Sequence, residues 1–418
     1  MKQVYLDNQS NTKLDKKVFD AMIPFFTDYY GNPQSIYSLG AASKDVLDLA
    51  RIQVANFINA DAKEIIFTSC ATESNNLIIK GIAESLKNKG KHIIVSVIEH
   101  FSILNPLKRL QKEGFEITYL SVDSKGNVNA DELKNSLRKD TILVSIQHSN
   151  TEVGTIQDIK KLVDIVKSVK VNDFIVFHTD AVSSCGCLPI DVKDLNVDAL
   201  TFSSSVMYGP KGAAALYVKR GVRLVPQIEG GVQENSQRSG TENIPAIVGF
   251  GKACEIAKSE QSVNTQKIKE LRDKLINELP KKIEYIYLNG ALENRSPCNV
   301  NFSIEFVEGE ALFLLLDAKG IMAASGSACA NKNLKLSHVL TAMNVDVAIG
   351  QGSIVFTLSK YNTQEDIDYV LEEFPKIVSK LREMSPLYSY FLQTGKRKEA
   401  GPGTDFEHAH DHCHISED

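Results

Sequence analysis

The sequence predicts an α/β protein, with a mostly parallel seven-stranded sheet in a large domain and a smaller α+β domain. Between residues 64 and 218, seven short β-branched, apolar runs alternate with amphipathic segments of helical length. Beyond about residue 255 this alternation stops. Regular strand–helix alternation indicates parallel strands covered by helices on both faces of the sheet.

The predicted strands of the large domain occupy residues 64–68, 92–97, 116–121, 141–146, 174–178, 199–202 and 213–218. Helices are predicted at 74–87, 102–112, 130–137 and 159–169, where apolar residues recur at i, i+3 and i+4. Because such sheets bind ligands at the carboxyl ends of their strands, polar residues after each run are candidate site residues.

The remaining elements predict the domain division. A charged helix at 261–279 precedes strands at 283–288 and 298–304, a further helix, a strand at 353–358 and a last helix at 364–384. We therefore expect a large domain at 15–255 and a small domain formed by 1–14 with 256–392. Residues 393–418 are rich in Gly, Pro, Lys, His and Glu, which is typical of a flexible tail.

Composition limits the class of protein. A chain of 418 residues is too long for one ordinary hydrophobic core. Its content of 43% hydrophobic and 24% charged residues is usual for a globular protein. The net charge of −5 gives no reason to expect a nucleic-acid or membrane partner. No apolar run could span a bilayer, and the N-terminus resembles neither a signal nor a transit peptide, so we expect a cytoplasmic protein.

The cysteines do not suggest a disulfide framework. There are seven, an odd number, and they are scattered, so reduced thiols are expected. Cys185-Gly186-Cys187 lacks the second pair that a zinc site needs, and we interpret both cysteines as small buried hydrophobic residues.

Eight motifs lie in order between residues 3 and about 390, most of them at predicted strand ends or turns. They are Tyr5-Leu6-Asp7-Asn8, Gly31-Asn32-Pro33, Thr68-Ser69-Cys70-Ala71-Thr72-Glu73-Ser74-Asn75-Asn76, Glu99-His100, His178-Thr179-Asp180-Ala181, Tyr208-Gly209-Pro210-Lys211-Gly212, Arg238-Ser239-Gly240-Thr241 and Ser325-Gly326-Ser327-Ala328-Cys329. Together they resemble the IscS/NifS cysteine desulfurases, class-V aminotransferases of the pyridoxal-phosphate (PLP) fold. The resemblance implies the aspartate aminotransferase-like fold.

The resemblance also implies a phosphate site for PLP. A strand-to-helix turn carrying Ala71 and Thr72 directs backbone N–H groups at an anion, assisted by the helix dipole. By resemblance Ser203 and Ser205 are further cofactor-binding positions, and Thr241 would reach the phosphate from the partner subunit, which implies a homodimer. A simpler interpretation is that Thr72 and Glu73 only cap the helix.

Two further residues would hold the PLP ring by resemblance. Asp180 would keep the pyridine nitrogen protonated, which makes the ring an electron sink. His100 would stack on the ring and act in catalysis, although a histidine after a strand is more often only a hydrogen-bonded structural residue.

Cys329 is the candidate catalytic thiol. It lies in a small-residue stretch of the kind expected to be mobile, and a persulfide carrier must reach both a substrate and an external acceptor. The loop is long, as in the IscS group rather than the SufS group.

The sequence departs from the family at the position that anchors PLP. The family's His-Lys pair is replaced by Ser205 and Val206. The family's lysine forms the Schiff base with PLP and then moves the Cα proton, and valine can do neither. Lys211 lies five residues further on, past a Gly-Pro turn, and is not expected to substitute.

Four other positions also depart from the family. Val355 replaces the arginine that binds the substrate carboxylate, Thr151 an asparagine near the phenolic oxygen of PLP, Ser183 a glutamine and Tyr37 a histidine. Covalent PLP attachment is therefore not expected, and standard activity should be weak or absent.

These losses, with Cys329 retained, suggest a desulfurase-derived sulfur-transfer or scaffold-partner protein. In this hypothesis Cys329 carries a persulfide or helps to ligate a [2Fe–2S] cluster, with an IscU-type scaffold and another sulfur donor or acceptor as partners. The alternative is an active PLP-dependent desulfurase that converts L-cysteine to L-alanine and an enzyme persulfide. A third possibility keeps PLP bound non-covalently with a slow side reaction.

The C-terminal tail leaves three interpretations open. It carries alternating imidazoles and a thiol, at His408, His410, His412, Cys413 and His414. Its Glu407–His410 stretch faintly resembles the family's scaffold-docking end. Imidazole and thiolate also suit several transition metals, and a solvated tail without a role is the third interpretation.

Overall fold

The computed structural model describes residues 2–325 and 336–397. The strands in this part of the chain are β1 (Val4–Tyr5), β2 (Ile65–Thr68), β3 (His92–Ser96), β4 (Glu116–Leu120), β5 (Thr141–Ser145), β6 (Val176–Asp180), β7 (Ala199–Ser203), β8 (Ala214–Val218), β9 (Ile286–Leu288), β10 (Asn299–Ile304), β11 (Ile321–Met322) and β12 (Ser353–Thr357).

The helices within the same residues are α1 (Lys16–Met22), α2 (Pro24–Thr27), α3 (Ser38–Phe57), α4 (Ala71–Leu86), α5 (Phe101–Lys112), α6 (Ala130–Ser136), α7 (Ile159–Val169), α8 (Val182–Cys185), α9 (Val192–Leu195), α10 (Ile244–Lys282), α11 (Gly309–Asp317), α12 (His338–Ala342), α13 (Val347–Gly350), α14 (Gln364–Glu383) and α15 (Pro386–Thr394). Short 3₁₀ turns occur at Ala62–Glu64, Ser204–Val206 and Gln233–Ser236.

The seven-stranded sheet has the order β2-β8-β7-β6-β5-β3-β4. Strands β4, β3, β5, β6 and β7 run parallel, while β8 is antiparallel to both of its neighbours, β7 and β2. The predicted mostly parallel seven-stranded sheet is therefore confirmed.

Both faces of this sheet are covered. Side chains of a strand alternate between faces, and in β3 Ile94 belongs to one buried cluster whereas Ile93 and Val95 belong to another. The first cluster includes residues of α3 and α7, and the second includes residues of α4 and α5. This arrangement explains why the predicted strands read as nearly continuous apolar runs.

A second core lies around the small sheet β12-β10-β9, which is antiparallel. Buried residues of α11, α14 and the later part of α10 pack there, together with Val4 and Leu6 from the N-terminus. The N-terminal strand β1 pairs in parallel with β11. The α/β class with an additional α+β unit is thus present, as the sequence predicts.

Helix α10 joins the two cores. Its early residues, such as Phe250 and Cys254, pack with the large sheet, and its later residues, such as Leu271 and Leu275, pack with the small sheet. The boundary predicted at residue 255 therefore falls inside a continuous helix rather than in a linker.

Candidate active site

Asp180 forms the centre of the site. It is the last residue of β6, which ends two residues later than the predicted run at 174–178, and its side chain is buried. Asn75 Nδ2 donates to one carboxylate oxygen at 2.7 Å, and the Val182 N–H donates to the other at 3.0 Å. Burial raises the pKa of Asp180, while these two donors and the nearby His100 act against that shift.

A short hydrogen-bond chain connects Asp180 to His100. Asn75 Nδ2 also donates to Ser102 Oγ at 2.8 Å, and Ser102 Oγ lies 2.7 Å from His100 Nδ1. Because the Ser102 N–H also donates to Nδ1, that nitrogen is the acceptor and the ring proton belongs on Nε2. The exposed ring of His100 therefore caps α5 and is linked to Asp180.

A second buried carboxylate, Glu99, lies next to His100 and was not singled out from the sequence as a site residue. One oxygen accepts from Ser96 Oγ at 2.5 Å and from the Gln147 N–H at 2.9 Å. The other has no hydrogen-bond partner among the described residues. Burial raises the pKa of Glu99 to about 8, so the carboxyl is largely protonated at neutral pH. Its burial between β3 and β5 could not be read from the sequence motif alone.

The N-terminus of α4 forms the anion end of the site. Helix α4 begins at Ala71, and its N-cap residue, Cys70, makes no side-chain capping bond. Instead, Glu73 accepts from the Ser69 N–H at 2.9 Å and from Arg238 Nε at 2.8 Å. The first N–H groups of a helix lack intrahelical partners, so those of Ala71 and Thr72 suit an anion.

Ser203 is the last residue of β7 and caps the 3₁₀ turn that follows, and Ser205 lies within that turn. Their hydroxyl oxygens lie 3.1 Å apart, and the Ser205 N–H donates to Ser203 Oγ. The structure therefore brings these two predicted cofactor-binding residues together. Thr241 is exposed in the segment before α10.

The position of the missing lysine is filled by a buried aliphatic side chain. Val206 ends the 3₁₀ turn, is 8% exposed and packs in the core of the large sheet. Lys211, which might have replaced the amine, is exposed. Lys360, another lysine of this region, forms an ion pair with Asp15 at 2.6 Å.

The position of the missing arginine is also aliphatic and buried. Val355 lies in β12 and is 4% exposed. Its backbone N–H and carbonyl both bond with Ala324, at 2.9 and 3.1 Å. Position 355 is therefore fixed directly beside the start of the segment that carries Cys329.

Two of the other three altered positions contact each other. Thr151 Oγ1 and Ser183 Oγ lie 2.8 Å apart. Tyr37, at the altered histidine position, is exposed as the N-cap residue of α3.

Cys329 itself, together with His408, His410, His412, Cys413 and His414, lies outside the described residues. The far side of the cysteine segment is anchored close to the site. Ser337 Oγ donates to Glu152 at 2.5 Å, and His338 Nε2 bonds with the Glu99 carbonyl oxygen at 3.0 Å. Burial raises the pKa of Glu152 to about 7.

The residues present fit one part of PLP and not another. A helix N-terminus suits a phosphate, and a buried carboxylate suits a protonated ring nitrogen. The covalent linkage has no counterpart, because the side chain at 206 is a buried hydrocarbon.

Neither a metal site nor a membrane-spanning helix is found in residues 2–325 and 336–397. No group of three or more His, Cys, Asp and Glu side chains there is arranged to hold a metal ion. None of the helices in these two ranges combines the length and apolar character that crossing a bilayer requires.

The sheet order and the polar strand ends are those of the α/β fold of PLP-dependent transferases. The model of the aminotransferase class-V family matches residues 4–370, and the chain belongs to this family. It is 48% identical over 385 residues to a cysteine desulfurase IscS of Dictyoglomus turgidum, covering 92% of this chain and 97% of that protein. A cysteine desulfurase IscS of Methanosarcina thermophila is 50% identical over 386 residues, covering 92% and 94%.

Solved structures agree with this assignment. A NifS-like protein superposes with a TM-score of 0.85 at 39% identity, covering 91% of this chain and all of its own. A NifS-like protein from Rickettsia africae gives a TM-score of 0.81 at 33% identity, covering 90% of this chain and 100% of its own. The predicted resemblance to the IscS/NifS proteins and the predicted fold are confirmed.

Proposed function

We propose that this chain is a desulfurase-derived protein of sulfur transfer and iron–sulfur assembly that lacks standard PLP-dependent catalysis. The observation that carries the proposal is Val206: a buried aliphatic side chain occupies the position where the family requires an amine. Relatives with 48% and 50% identity bear the name cysteine desulfurase, which supports a role in sulfur handling.

The second aliphatic position supports the same proposal. Val355 offers no positive charge to a substrate carboxylate, and its backbone is committed to Ala324. An amino acid therefore has neither a covalent partner at 206 nor an ionic partner at 355. By contrast, Asp180, Asn75 and the N-terminus of α4 are retained, and they could hold PLP without a covalent bond.

In this proposal Cys329 receives sulfur rather than extracting it from cysteine. A Cys329 thiolate attacks the outer sulfur of a persulfide donor, forming a Cys329 persulfide and releasing the donor thiolate. The persulfide sulfur then passes to an IscU-type scaffold, or Cys329 shares a [2Fe–2S] cluster with it. The anchors at Ala324 and at Ser337 hold both ends of the segment near the site. A homodimer, with Thr241 contributed by the partner, belongs to the same proposal.

The catalytic part is tested by incubating the full chain with PLP and L-cysteine. We expect no alanine and no PLP adduct after borohydride reduction, measured by mass spectrometry. Val206→Lys is the matched gain variant, and we expect it to acquire the adduct at residue 206. Lys211→Ala is the control for rescue by the neighbouring lysine. Alanine production by the unmodified chain overturns this part. So does a PLP adduct that forms on the unmodified chain and is absent from Lys211→Ala.

The sulfur-transfer part is tested separately with a low-molecular-weight persulfide donor. We expect Cys329 to gain one sulfur atom, and Cys329→Ser to lose both this gain and the effect of the chain on cluster formation by an IscU-type scaffold. Cys70→Ser is a suitable control because Cys70 is also a free thiol and is exposed. No sulfur at Cys329, together with no binding of the scaffold, overturns this part.

A further inference from the structure

Two buried thiols meet where the two cores join. Cys187 follows α8 of the large sheet, Cys298 directly precedes β10 of the small sheet, and they are 111 positions apart in the chain. Their sulfur atoms lie 3.3 Å apart. Both residues were expected to be reduced, and burial of Cys185 and Cys187 agrees with their interpretation as small buried residues. The sequence did not indicate that Cys187 has a thiol partner.

The surroundings of this pair favour a thiolate on Cys298. Ser296 Oγ lies 3.2 Å from Cys298 Sγ and 3.5 Å from Cys187 Sγ. Arg272 donates to the Ser296 carbonyl oxygen at 3.1 Å, which brings a positive charge close. The hydrogen bond from Cys187, helped by Ser296 and by Arg272, lowers the pKa of Cys298 despite its burial. The pKa of Cys187 is raised by the same interaction.

A small cavity gives access to the pair. It has a volume of about 20 Å³, and Cys187, Cys298, Ser183 and Val206 are among the residues that line it. A cavity of this size holds one water-sized molecule, since a water needs roughly 10–15 Å³. We expect a cavity of this size to exclude bulky thiol reagents and to admit only a small neutral oxidant such as hydrogen peroxide.

We propose that Cys187 and Cys298 form a redox-active dithiol site that small peroxides convert to a disulfide between the segment after α8 and the start of β10. The Cys298 thiolate attacks one peroxide oxygen, breaking the O–O bond to give Cys298 sulfenic acid and hydroxide. The Cys187 thiol then attacks the sulfenic sulfur, forming the S–S bond and releasing water. Two electrons pass from the sulfur atoms to the peroxide. A thiolate beside a resolving thiol is the arrangement found in redox-responsive cysteine sites.

The bond would close a long loop of the chain and should stabilise the folded state. Because cross-linking a loop of this length removes much of the freedom of the unfolded chain, we expect the Tm to rise by on the order of 5 °C. The site is independent of the proposed function, since it uses neither Cys329 nor PLP.

The test treats the reduced full chain with hydrogen peroxide and maps disulfides by mass spectrometry without reduction. We expect a Cys187–Cys298 cross-link and the rise in Tm, both absent in Cys187→Ser and in Cys298→Ser. Cys185→Ser is the matched control: Cys185 is equally buried and two residues away, but its Sγ–H bonds with the Ala181 carbonyl oxygen. It should leave the cross-link intact.

A parallel treatment with glutathione disulfide tests the access route. We expect the exposed Cys70 to be modified and the buried pair to remain reduced. The proposal is overturned if peroxide oxidises Cys70 while Cys187 and Cys298 stay reduced in the native chain, a result that needs no variant to fold. It is also overturned if the cross-link joins Cys185 to Cys254, or if glutathione disulfide modifies the pair as readily as Cys70.

Discussion

Thr151 Oγ1 lies 2.8 Å from Ser183 Oγ, and both residues occupy positions where the family has a longer amide side chain. The two substitutions therefore form one local unit, in which two short hydroxyls satisfy each other. The hydrogen bond between the two hydroxyls links the segment after β5 to helix α8.

The first prediction concerns this pair. Thr151→Val should leave the Ser183 hydroxyl without its partner and reduce the free energy of unfolding by about 1 kcal/mol. Ser183→Ala should cost a similar amount, and the double variant should cost clearly less than the sum. Urea unfolding of the three variants measures the coupling. Strict additivity would show that the hydroxyls do not interact.

The second prediction concerns Glu99 and pH. Because burial raises its pKa from 4.5 to about 8, folded Glu99 keeps a proton that the unfolded chain releases. The stability from this group is complete below pH 4.5 and is lost as pH rises towards 8, with a slope of up to about 1.4 kcal/mol per pH unit.

Glu99→Gln should flatten this dependence because a glutamine side chain does not titrate. Its amide oxygen can still accept from Ser96 and from the Gln147 N–H, so these hydrogen bonds are kept. Unfolding free energies measured between about pH 5 and about pH 8 test the prediction, because this range lies between the unfolded and the folded pKa of Glu99. Glu113→Gln, at the exposed end of α5, is the control and should leave the slope unchanged. Equal slopes for Glu99→Gln and the unmodified chain would refute the assignment.

The third prediction concerns the donor to Asp180. Asn75→Ala removes the Nδ2 group that bonds both Asp180 and Ser102, so the buried carboxylate loses a partner. We expect a loss of about 1–3 kcal/mol in the free energy of unfolding. Asn76→Ala, whose side chain bonds only the Thr72 carbonyl oxygen on the exposed face, should cost less than about 0.5 kcal/mol. Equal costs would contradict the role of Asn75.

The fourth prediction concerns the buried ion pair of Arg51 and Glu234. Two hydrogen bonds of 2.6 Å join them, and Glu234 also accepts from the Phe67 N–H at 2.9 Å. Glu234→Ala should cost about 3–5 kcal/mol because it leaves a buried charge unpaired. Asp48→Ala, which breaks the exposed pair with Lys44, should cost less than about 1 kcal/mol. Thermal unfolding of the two variants distinguishes these values.

The sequence was sufficient to predict the seven-stranded sheet, because its strands are buried on both faces and form apolar runs of the length of a strand. Val206 and Val355 could be singled out from the sequence because their motifs are local, and both side chains are buried in the structure. The limits of α10 were harder to predict. Its 39 residues pass from one core to the other, so the apolar face of the helix changes partner and a single periodic pattern is lost.

Contacts between distant residues could not be predicted. The chain from Asp180 through Asn75 and Ser102 to His100 joins three separate elements. The Cys187–Cys298 contact joins residues 111 positions apart, and neither cysteine is part of a recognisable motif. Both depend on how strands and helices are packed, which no local spacing encodes.

The backbone around position 206 is held from two sides. A Cβ atom at Gly186 would lie 2.5 Å from the Val206 carbonyl oxygen, so only glycine permits this approach. On the other side, the Ser205 carbonyl oxygen accepts from both the N–H and the hydroxyl of Thr12. The Cα of residue 206 is therefore fixed by its neighbours and not by its own side chain. An exchange between valine and lysine at position 206, in either direction, should therefore require no rebuilding of the main chain.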